Sequence, residues 1–165
     1  AIHLVLTGRR TQGGSTITMQ VARNFFLSRA KTYLRKINEI FLSYKIENEL
    51  TKKEILELYL NEIYLGLGSY GVAAAALNYF NKSLEELTIA ESALLAALPK
   101  APSRLNPARY PKRAIKRRNW VIRQMLDNGY ITAEEAKKAI AEPITIRKPL
   151  VVDRDGTSGS VVIGQ

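Results

Sequence analysis

Three charged side chains in the first third of the chain are spaced so that they can act on one ligand. Lys31, Arg35 and Glu39 follow one another at intervals of four residues, which places them on one face of a helix. Two cations can bind a pyrophosphate, while the carboxylate can hold a divalent cation or orient a hydroxyl. A solvated ion pair without a chemical role gives the same pattern, so the spacing alone leaves both interpretations open.

A glycine pair followed by hydroxyl side chains precedes these charges. Residues 13–16 read Gly-Gly-Ser-Thr, which allows a tight turn and then a capped helix. The free N–H groups at such a helix start, together with the positive end of the helix dipole, favour phosphate. Gln20 and Arg23 follow within two helical turns, where they could face the same ligand. An ordinary amphipathic helix with a glycine turn is the alternative interpretation.

The elements that position these residues are predicted to be helices. Leu34, Ile37, Phe41 and Tyr44 form an apolar face that we expect to be buried on the helix that carries Glu39. A further helix is predicted over 112–127, and four prolines predict a loop over 99–111. Capping signatures of the Ser/Thr-x-x-Glu type predict four other helix starts: Thr51 with Glu54, Ser83 with Glu86, Thr88 with Glu91, and Thr132 with Glu135.

The residue composition changes near residue 143, where β-branched residues and then turn residues replace the helical pattern. We therefore predict a mainly α domain over residues 1–141. Residues 142–165 are predicted to be a linker or the start of a following module.

The net charge of +10 is concentrated in two segments. Residues 1–53 hold 10 Lys/Arg against 3 Asp/Glu, and residues 100–123 hold 9 against none. Such segments indicate an anionic partner, which can be a phosphate, a nucleic acid or an anionic membrane. The chain has no cysteine and a single histidine, His3, which excludes a disulfide framework and a cysteine metal site.

Two other classes of protein are excluded by local patterns. Residues 8–15 resemble a phosphate-binding Walker A loop, but Gly14 stands where that pattern requires lysine. The alternating strands and helices of such nucleotide hydrolases are also not predicted. No run approaches the roughly 18 apolar residues that a membrane-spanning helix needs, so we expect any membrane anchor to lie outside this chain.

Four motifs in a fixed order carry a family resemblance. They are Gly-Gly-Ser-Thr-Ile-Thr-x-Gln at 13–20, Arg-Lys-x-x-Glu at 35–39, Lys-x-Glu-Ile-Leu-x-x-Tyr-Leu-Asn at 52–61, and Arg-Arg-x-x-Val at 117–121. In this order they resemble the glycosyltransferase domain of class A penicillin-binding proteins and the monofunctional peptidoglycan glycosyltransferases. The resemblance covers about residues 1–141. It implies a mainly α, lysozyme-like fold with two lobes and a groove between them, here truncated at its N-terminus.

The resemblance also implies an activity. Members of the family are inverting glycosyltransferases that polymerise lipid II into β-1,4-linked glycan strands and release undecaprenyl pyrophosphate. The implied partners are lipid II, the growing glycan strand and the membrane surface, without nucleic acid, and a transpeptidase domain can follow in the parent protein. The implied location is the outer, periplasmic face of the bacterial cytoplasmic membrane, with the anchor outside this chain.

Roles for individual residues follow from the same match. Glu39 matches the second catalytic glutamate of the family, which assists the leaving group, and a divalent cation (Mg²⁺ or Mn²⁺) can take part there. Asn61, Arg117 and Arg118 match positions for which we expect structural roles. Six positions are expected to bind substrate. Three of them are expected to bind the donor's phosphates: Arg23, Lys31 and Arg35. The other three are Ser15, Gln20 and Lys52.

One departure from the family affects the chemistry. The family's first motif, Glu-Asp-x-x-Phe-x-x-His-x-Gly, carries the glutamate that deprotonates the acceptor hydroxyl, and this sequence does not contain it. No acidic residue precedes Glu39, and inverting transfer needs a base for the attacking hydroxyl. We therefore expect this chain to be inactive alone and a version extended upstream to be active.

Two further function classes stay open on the residues alone. The two basic segments would suit a helical module that binds nucleic acid, although Trp120 is the only obvious aromatic residue near residues 116–123. A structural fragment that does no chemistry would explain the missing base. Affinity measured against salt separates the first class, because nucleic-acid binding weakens steeply with salt whereas a prenyl tail retains its apolar contribution.

Overall fold

The computed structural model describes residues 15–26 and 33–147, together with the backbone of residues 160–163. Gly13, Gly14, Lys31 and His3 lie outside the described residues. The helices found in these ranges confirm the prediction of a mainly α fold. They are α1 (Ile17–Phe26), α2 (Tyr33–Glu49), α3 (Lys52–Glu62), α4 (Val72–Phe80), α5 (Ile89–Ala97), α6 (Pro111–Asp127) and α7 (Ala133–Ala141).

Within the described residues, four short strands form two antiparallel pairs. The strand β1 (Tyr64–Gly66) pairs with β2 (Ser69–Tyr70), and β3 (Ile144–Arg147) pairs with β4 (Ser160–Ile163). In the second pair Ile144 lies opposite Ile163. The chain divides into two compact units, residues 1–62 and 63–165. The predicted boundary between residues 141 and 142 stays a prediction, and β3 packs against α4 within the second unit.

The first unit holds α1, α2 and α3 around a small apolar core. Thr16 caps α1, because its hydroxyl accepts a hydrogen bond from the Met19 N–H at 3.1 Å. Thr51 and Glu54 form the predicted cap of α3, where each side chain accepts from the other residue's backbone N–H. The core of this unit consists of Val21, Ala22, Ile46 and Ile55, with Leu42, Leu50, Leu58 and Tyr59 packed against it.

The apolar face predicted to be buried on α2 is exposed, so that prediction was wrong. The side chains of Leu34, Ile37, Phe41 and Tyr44 are 68%, 50%, 72% and 69% exposed. Instead α2 buries Glu39, Ser43 and Ile46, which recur at helical spacing on another face. This face can be buried because Glu39 finds cationic partners within its own helix, so its charge does not stay unpaired.

The second unit holds the β1–β2 hairpin and helices α4 to α7. Tyr79 on α4 is fully buried beneath the hairpin, and its hydroxyl donates to the Leu65 carbonyl at 2.9 Å. A Cβ at Gly66 would lie 2.7 Å from the Tyr79 hydroxyl oxygen, and Gly66 has a φ of +90°, so only glycine fits there. The apolar core between α5, α6 and α7 is built from Ala90, Ala93, Ile122, Ala136 and Ala139.

The capping predictions in this unit are confirmed at two of three positions. Thr88 with Glu91 and Thr132 with Glu135 form complete capping boxes at the starts of α5 and α7. Ser83 and Glu86 do not start a helix. The Glu86 carboxylate accepts from the Ser83 N–H at 2.7 Å, but the chain forms only a turn before Thr88 caps α5. None of the helices in the described part is long and apolar enough to cross a membrane.

Candidate functional site

The centre of the site is Glu39, whose side chain is 0% exposed on α2. Its Oε2 accepts a hydrogen bond from Arg35 Nη1 at 2.9 Å, and its Oε1 accepts from Lys36 Nζ at 2.6 Å. A carboxylate without partners is very unfavourable in such a place, because burial removes the water that stabilises its charge. The two cations therefore make the burial of Glu39 tolerable.

The two cations are less buried than the carboxylate they surround. The Arg35 side chain is 18% exposed and the Lys36 side chain is 37% exposed. Two cations and one carboxylate leave one net positive charge, and solvent reaches that charge from the cationic side. Ionised donors form short, strong hydrogen bonds to phosphate oxygens. The cluster is consequently suited to bind an anion with several oxygens.

Lys36 also joins the cluster to the start of α1. Its Nζ donates to the Ser15 hydroxyl at 3.1 Å, across 21 residues of sequence. Ser15 was predicted to bind substrate, and the structure brings it together with Arg35 and Glu39 through Lys36. Lys36 itself was not among the predicted site residues. Its position three residues before Glu39 was the available signal, since residues at that spacing are neighbours on a helix.

Within the described part of the first unit, three other predicted substrate-binding residues, Gln20, Arg23 and Lys52, are not bonded to this cluster. Gln20 and Arg23 are both partly exposed on α1. Burial raises the pKa of the Tyr59 hydroxyl on α3, and the positive charge of Arg23 opposes that rise, which indicates that Arg23 lies near Tyr59. Among the described residues, no hydrogen bond or ion pair connects Gln20, Arg23 or Lys52 to Glu39.

Lys52 lines a groove of its own at the start of α3. The groove has a volume of about 540 Å³ and is mostly apolar. Lys52 and Glu47 contribute the charged groups, and Thr18 contributes a hydroxyl. Four aliphatic side chains form the rest of the wall: Ile17, Leu50, Ile55 and Leu56. Such a groove can hold an apolar chain next to a charged group.

The side chains around Glu39 do not fit a divalent cation in this arrangement. Mg²⁺ and Mn²⁺ require several oxygen ligands, whereas both oxygens of Glu39 already accept from cationic groups. Within residues 15–26 and 33–147, no group of three or more His, Cys, Asp or Glu residues could hold a metal ion. The divalent cation stays a prediction.

Arg118, for which the sequence predicts a structural role, is only 2% exposed on α6. Its Nη1 donates to the Glu142 carbonyl at 2.7 Å and its Nη2 to the Ile140 carbonyl at 3.0 Å. These carbonyls lie at the end of α7, where a helix leaves acceptors without partners. The Arg117 guanidinium lies 3.8 Å from the centre of the Trp120 ring. Asn61 is exposed near the end of α3.

Comparison with known proteins identifies relatives whose sequences are similar to most of this chain. Penicillin-binding protein 1A of Rickettsia bellii is 59% identical over 140 residues, which are 85% of this chain and 18% of that protein. A putative transglycosylase of Cupriavidus necator is 56% identical over 142 residues, which are 86% of this chain and 62% of that protein. This chain thus spans less than a fifth of the penicillin-binding protein's length.

A solved structure and a family match agree with these relatives. The crystal structure of penicillin-binding protein 1A from Haemophilus influenzae is 59% identical, with a TM-score of 0.57, over 58% of this chain and 14% of that chain. Residues 1–126 match the family described as Transglycosylase. The chain therefore belongs to the transglycosylase family.

Proposed function

We propose that this chain is the glycosyltransferase part of an enzyme that polymerises lipid II into β-1,4-linked glycan strands and releases undecaprenyl pyrophosphate. Family membership supports an enzyme over a nucleic-acid-binding module or a structural fragment. The observation that carries the proposal is the cluster around Glu39, in a chain of this family. Glu39 fixes the positions of Arg35 and Lys36, and both cations remain partly exposed to solvent.

The reaction needs stabilisation of a pyrophosphate leaving group. A hydroxyl of the acceptor attacks the anomeric carbon, its proton passes to a base, and the bond from that carbon to the pyrophosphate oxygen breaks with inversion. Negative charge accumulates on the departing pyrophosphate in the transition state. Cations that are already in place lower this barrier, since they need no reorganisation during the reaction. Arg35 and Lys36 are the groups proposed to supply that stabilisation.

Glu39 acts in this proposal by holding the two cations. Its oxygens are both engaged by Arg35 and Lys36, so they fix where the guanidinium and ammonium groups stand. The role of Glu39 in assisting the leaving group is then exerted through those cations. Ser15 adds a second contact to Lys36. Gln20, Arg23 and Lys31 are proposed to extend the phosphate-binding site beyond this cluster.

The groove beside Lys52 suits another part of the same substrate. Lys52 can contact a charged group of a lipid-linked sugar, while the aliphatic wall formed by Ile17, Ile55 and Leu56 contacts apolar chain. A prenyl-linked pyrophosphate combines these two chemical characters. The groove therefore supports lipid II as the substrate class.

The exposed apolar face of α2 supports a position at the membrane surface. Tyr33, Leu34, Ile37, Phe41 and Tyr44 are each at least half exposed, and exposed apolar patches rimmed by polar residues mark membrane or protein interfaces. Aromatic side chains favour the boundary between water and lipid. We place this face against the outer leaflet of the bacterial cytoplasmic membrane, with a membrane anchor and a transpeptidase domain contributed by the parent protein.

The test is lipid II polymerisation in detergent by this chain and by a version extended upstream with the first motif of the family. Glycan made by the extended version alone supports the proposal and the expected need for an upstream base. Matched samples of both versions should bind lipid II, because the cation cluster lies within this chain. If neither version makes glycan and neither binds lipid II, the proposed activity is wrong.

A further inference from the structure

The solvent-facing side of α6 carries an unusual concentration of positive charge. Lys112, Arg113, Lys116 and Arg123 are exposed, and the Trp120 side chain on the same helix is 44% exposed. We call these five residues the basic face. We infer that the basic face is a binding surface for the anionic headgroups of a phospholipid bilayer.

Helix geometry places the five residues together. At 3.6 residues per turn they fall within an arc of about 100°. The opposite side of α6 carries Ala114, Arg118 and Ile122, which are buried in the second unit. The basic face is therefore a continuous stripe along a helix that the core holds in a fixed orientation.

Local acidic residues do not neutralise this stripe. Residues 100–123 contain 9 Lys/Arg and no Asp/Glu, and Asp127 is the only acid that follows on the same side of α6. The ion pairs formed among the described residues do not involve any cation of the basic face. Lys100, Arg104 and Arg109 in the preceding loop are also exposed and add positive charge next to the start of α6.

Aromatic rings accompany these cations. The Arg117 guanidinium stacks on the Trp120 ring, and Arg113 lies 5.1 Å from the centre of the Tyr110 ring. Tyr110 is 41% exposed. Tryptophan and tyrosine are enriched where a protein meets the headgroup region, because one part of the ring is apolar and another is polar. Lys and Arg beside them can bind the headgroup phosphates.

A bilayer fits this surface better than nucleic acid does. Shape alone does not choose between the two, because a helix side also fits the DNA major groove, but the exposed Trp120 and Tyr110 rings suit the interfacial region of a bilayer. The preference for lipid also rests on the proposed function, which places the substrate in a membrane. Each basic residue near an anionic bilayer strengthens binding by roughly fivefold, so several cations together give appreciable affinity even without insertion of an apolar chain.

The chain carries its own probe for this inference, because Trp120 is its only tryptophan. The full chain is titrated with vesicles of phosphatidylcholine alone and with vesicles containing equal parts of phosphatidylglycerol and phosphatidylcholine. We expect a blue shift of the Trp120 emission and protection from acrylamide with the anionic vesicles, both reversed by salt. The vesicles contain no lipid II, so the outcome does not depend on whether the chain proves to be a glycosyltransferase.

Matched variants assign the effect to the basic face. The triple variant Lys112→Ala, Lys116→Ala, Arg123→Ala is expected to lower the partition coefficient on anionic vesicles on the order of 100-fold. The control variant Lys53→Ala, Lys137→Ala, Lys138→Ala removes the same charge from exposed positions on α3 and α7 and should bind nearly as the unaltered chain does. Co-sedimentation with the vesicles gives the same comparison without fluorescence.

Three results would overturn the inference. The first is no change in Trp120 emission with anionic vesicles. The second is an equal loss of binding in both triple variants, which would mean that net charge alone is responsible. The third is binding of a short DNA duplex, with the same emission change, at lower concentrations than the vesicles require. That result would assign the basic face to nucleic acid.

Discussion

The Arg35–Lys36 pair on α2 and Arg118 on α6 are held by opposite kinds of partner. Arg35 and Lys36 surround a buried carboxylate, and both keep part of their side chains exposed. Arg118 is itself the buried group, and its guanidinium donates to the carbonyls of Ile140 and Glu142 and to the Asn119 side chain. The α2 pair presents charge to solvent, whereas Arg118 uses its charge inside the fold.

This difference separates a proposed binding site from a structural contact. When the anion is buried, the cations lie on its outer side and a ligand can approach them. When the cation is buried, carbonyl oxygens occupy its donors, so the guanidinium fastens α6 to the end of α7. Burial lowers the pKa of Arg118, and the nearby Glu142 carboxylate opposes that shift. Arginine still keeps its charge at neutral pH.

The substitution with the largest expected effect is Glu39→Gln in a version of the chain that polymerises lipid II. Glutamine has nearly the same shape but cannot hold two cations, so Arg35 and Lys36 lose their fixed positions. We expect the turnover rate to fall on the order of 100- to 1,000-fold, the range for removal of one preorganised electrostatic group. The free energy of unfolding should change little, because Arg35 and Lys36 can both turn toward water.

Steady-state polymerisation and urea unfolding of the same preparation measure these two effects. Glu54→Gln is a suitable control, since Glu54 is an exposed capping residue on α3 and has no proposed part in the chemistry. Retained turnover in Glu39→Gln would remove the basis for assigning the α2 pair to chemistry.

Arg118→Met should have the next largest effect, and it should act on stability. The substitution leaves the partly buried carbonyls of Ile140 and Glu142 without their donor, so we expect the free energy of unfolding to fall by about 3 kcal/mol. Arg113→Met on the exposed side of α6 is the matched control and should change it by less than about 0.5 kcal/mol. Equal effects in both variants, measured by urea denaturation, would contradict the structural role of Arg118.

Most of the helices could be predicted because their signals are local. Capping boxes at Thr51, Thr88 and Thr132 require only side chains three residues apart. The same local rule failed at Ser83, where Thr88 provides the cap of α5 five residues later. Of two neighbouring capping signatures, the one followed by a buried apolar helix determines where the helix starts.

The face of α2 that is buried could not be inferred from hydrophobicity. The rule that apolar residues lie inside favours Leu34, Ile37 and Phe41, yet the buried face contains Glu39 and Ser43. A paired carboxylate can occupy an interior position, and a surface that meets lipid can remain apolar. For the same reason the motif order predicted the importance of residues 35–39, but it could not predict that Glu39 would be enclosed.

The contact between Lys36 and Ser15 is a second feature beyond the reach of local patterns. It joins residues 21 positions apart and depends on how α1 packs against α2. The motifs identified Ser15 and the Arg-Lys-x-x-Glu segment separately. Their contact is a property of the packed helices, so the sequence offered no sign that Lys36 links them.

Lys36→Met sharpens the comparison within the α2 pair itself. The substitution keeps the apolar stem and removes the ammonium group, so the contacts to Glu39 and Ser15 are lost. Arg35 still holds the other oxygen of Glu39, and we therefore expect a smaller loss of turnover, about 10-fold. Ser15→Ala removes only one of the two contacts and should have a weaker effect than Lys36→Met. A wild-type rate in Lys36→Met, measured at saturating lipid II, would limit the catalytic cations to Arg35.

The smallest expected effect on stability comes from Tyr79, whose neutral hydroxyl donates to a backbone carbonyl as the charged Arg118 guanidinium does. Tyr79→Phe removes the hydroxyl that donates to the Leu65 carbonyl, so we expect a loss of about 1 kcal/mol in the free energy of unfolding at neutral pH.

Burial raises the pKa of Tyr79 to about 12, whereas an unfolded tyrosine titrates near 10. Above pH 10 the unfolded state therefore loses the proton first, and this tyrosine's stabilisation of the fold is lost as the pH rises towards 12. The difference between wild type and Tyr79→Phe should narrow and then reverse over that interval, because two pKa units correspond to about 2.7 kcal/mol, as followed by urea unfolding at each pH. If the stability difference between wild type and Tyr79→Phe stays constant with pH, the Tyr79 hydroxyl titrates alike in the folded and unfolded states. Arg118 would then be the one buried donor whose environment is shown to affect stability.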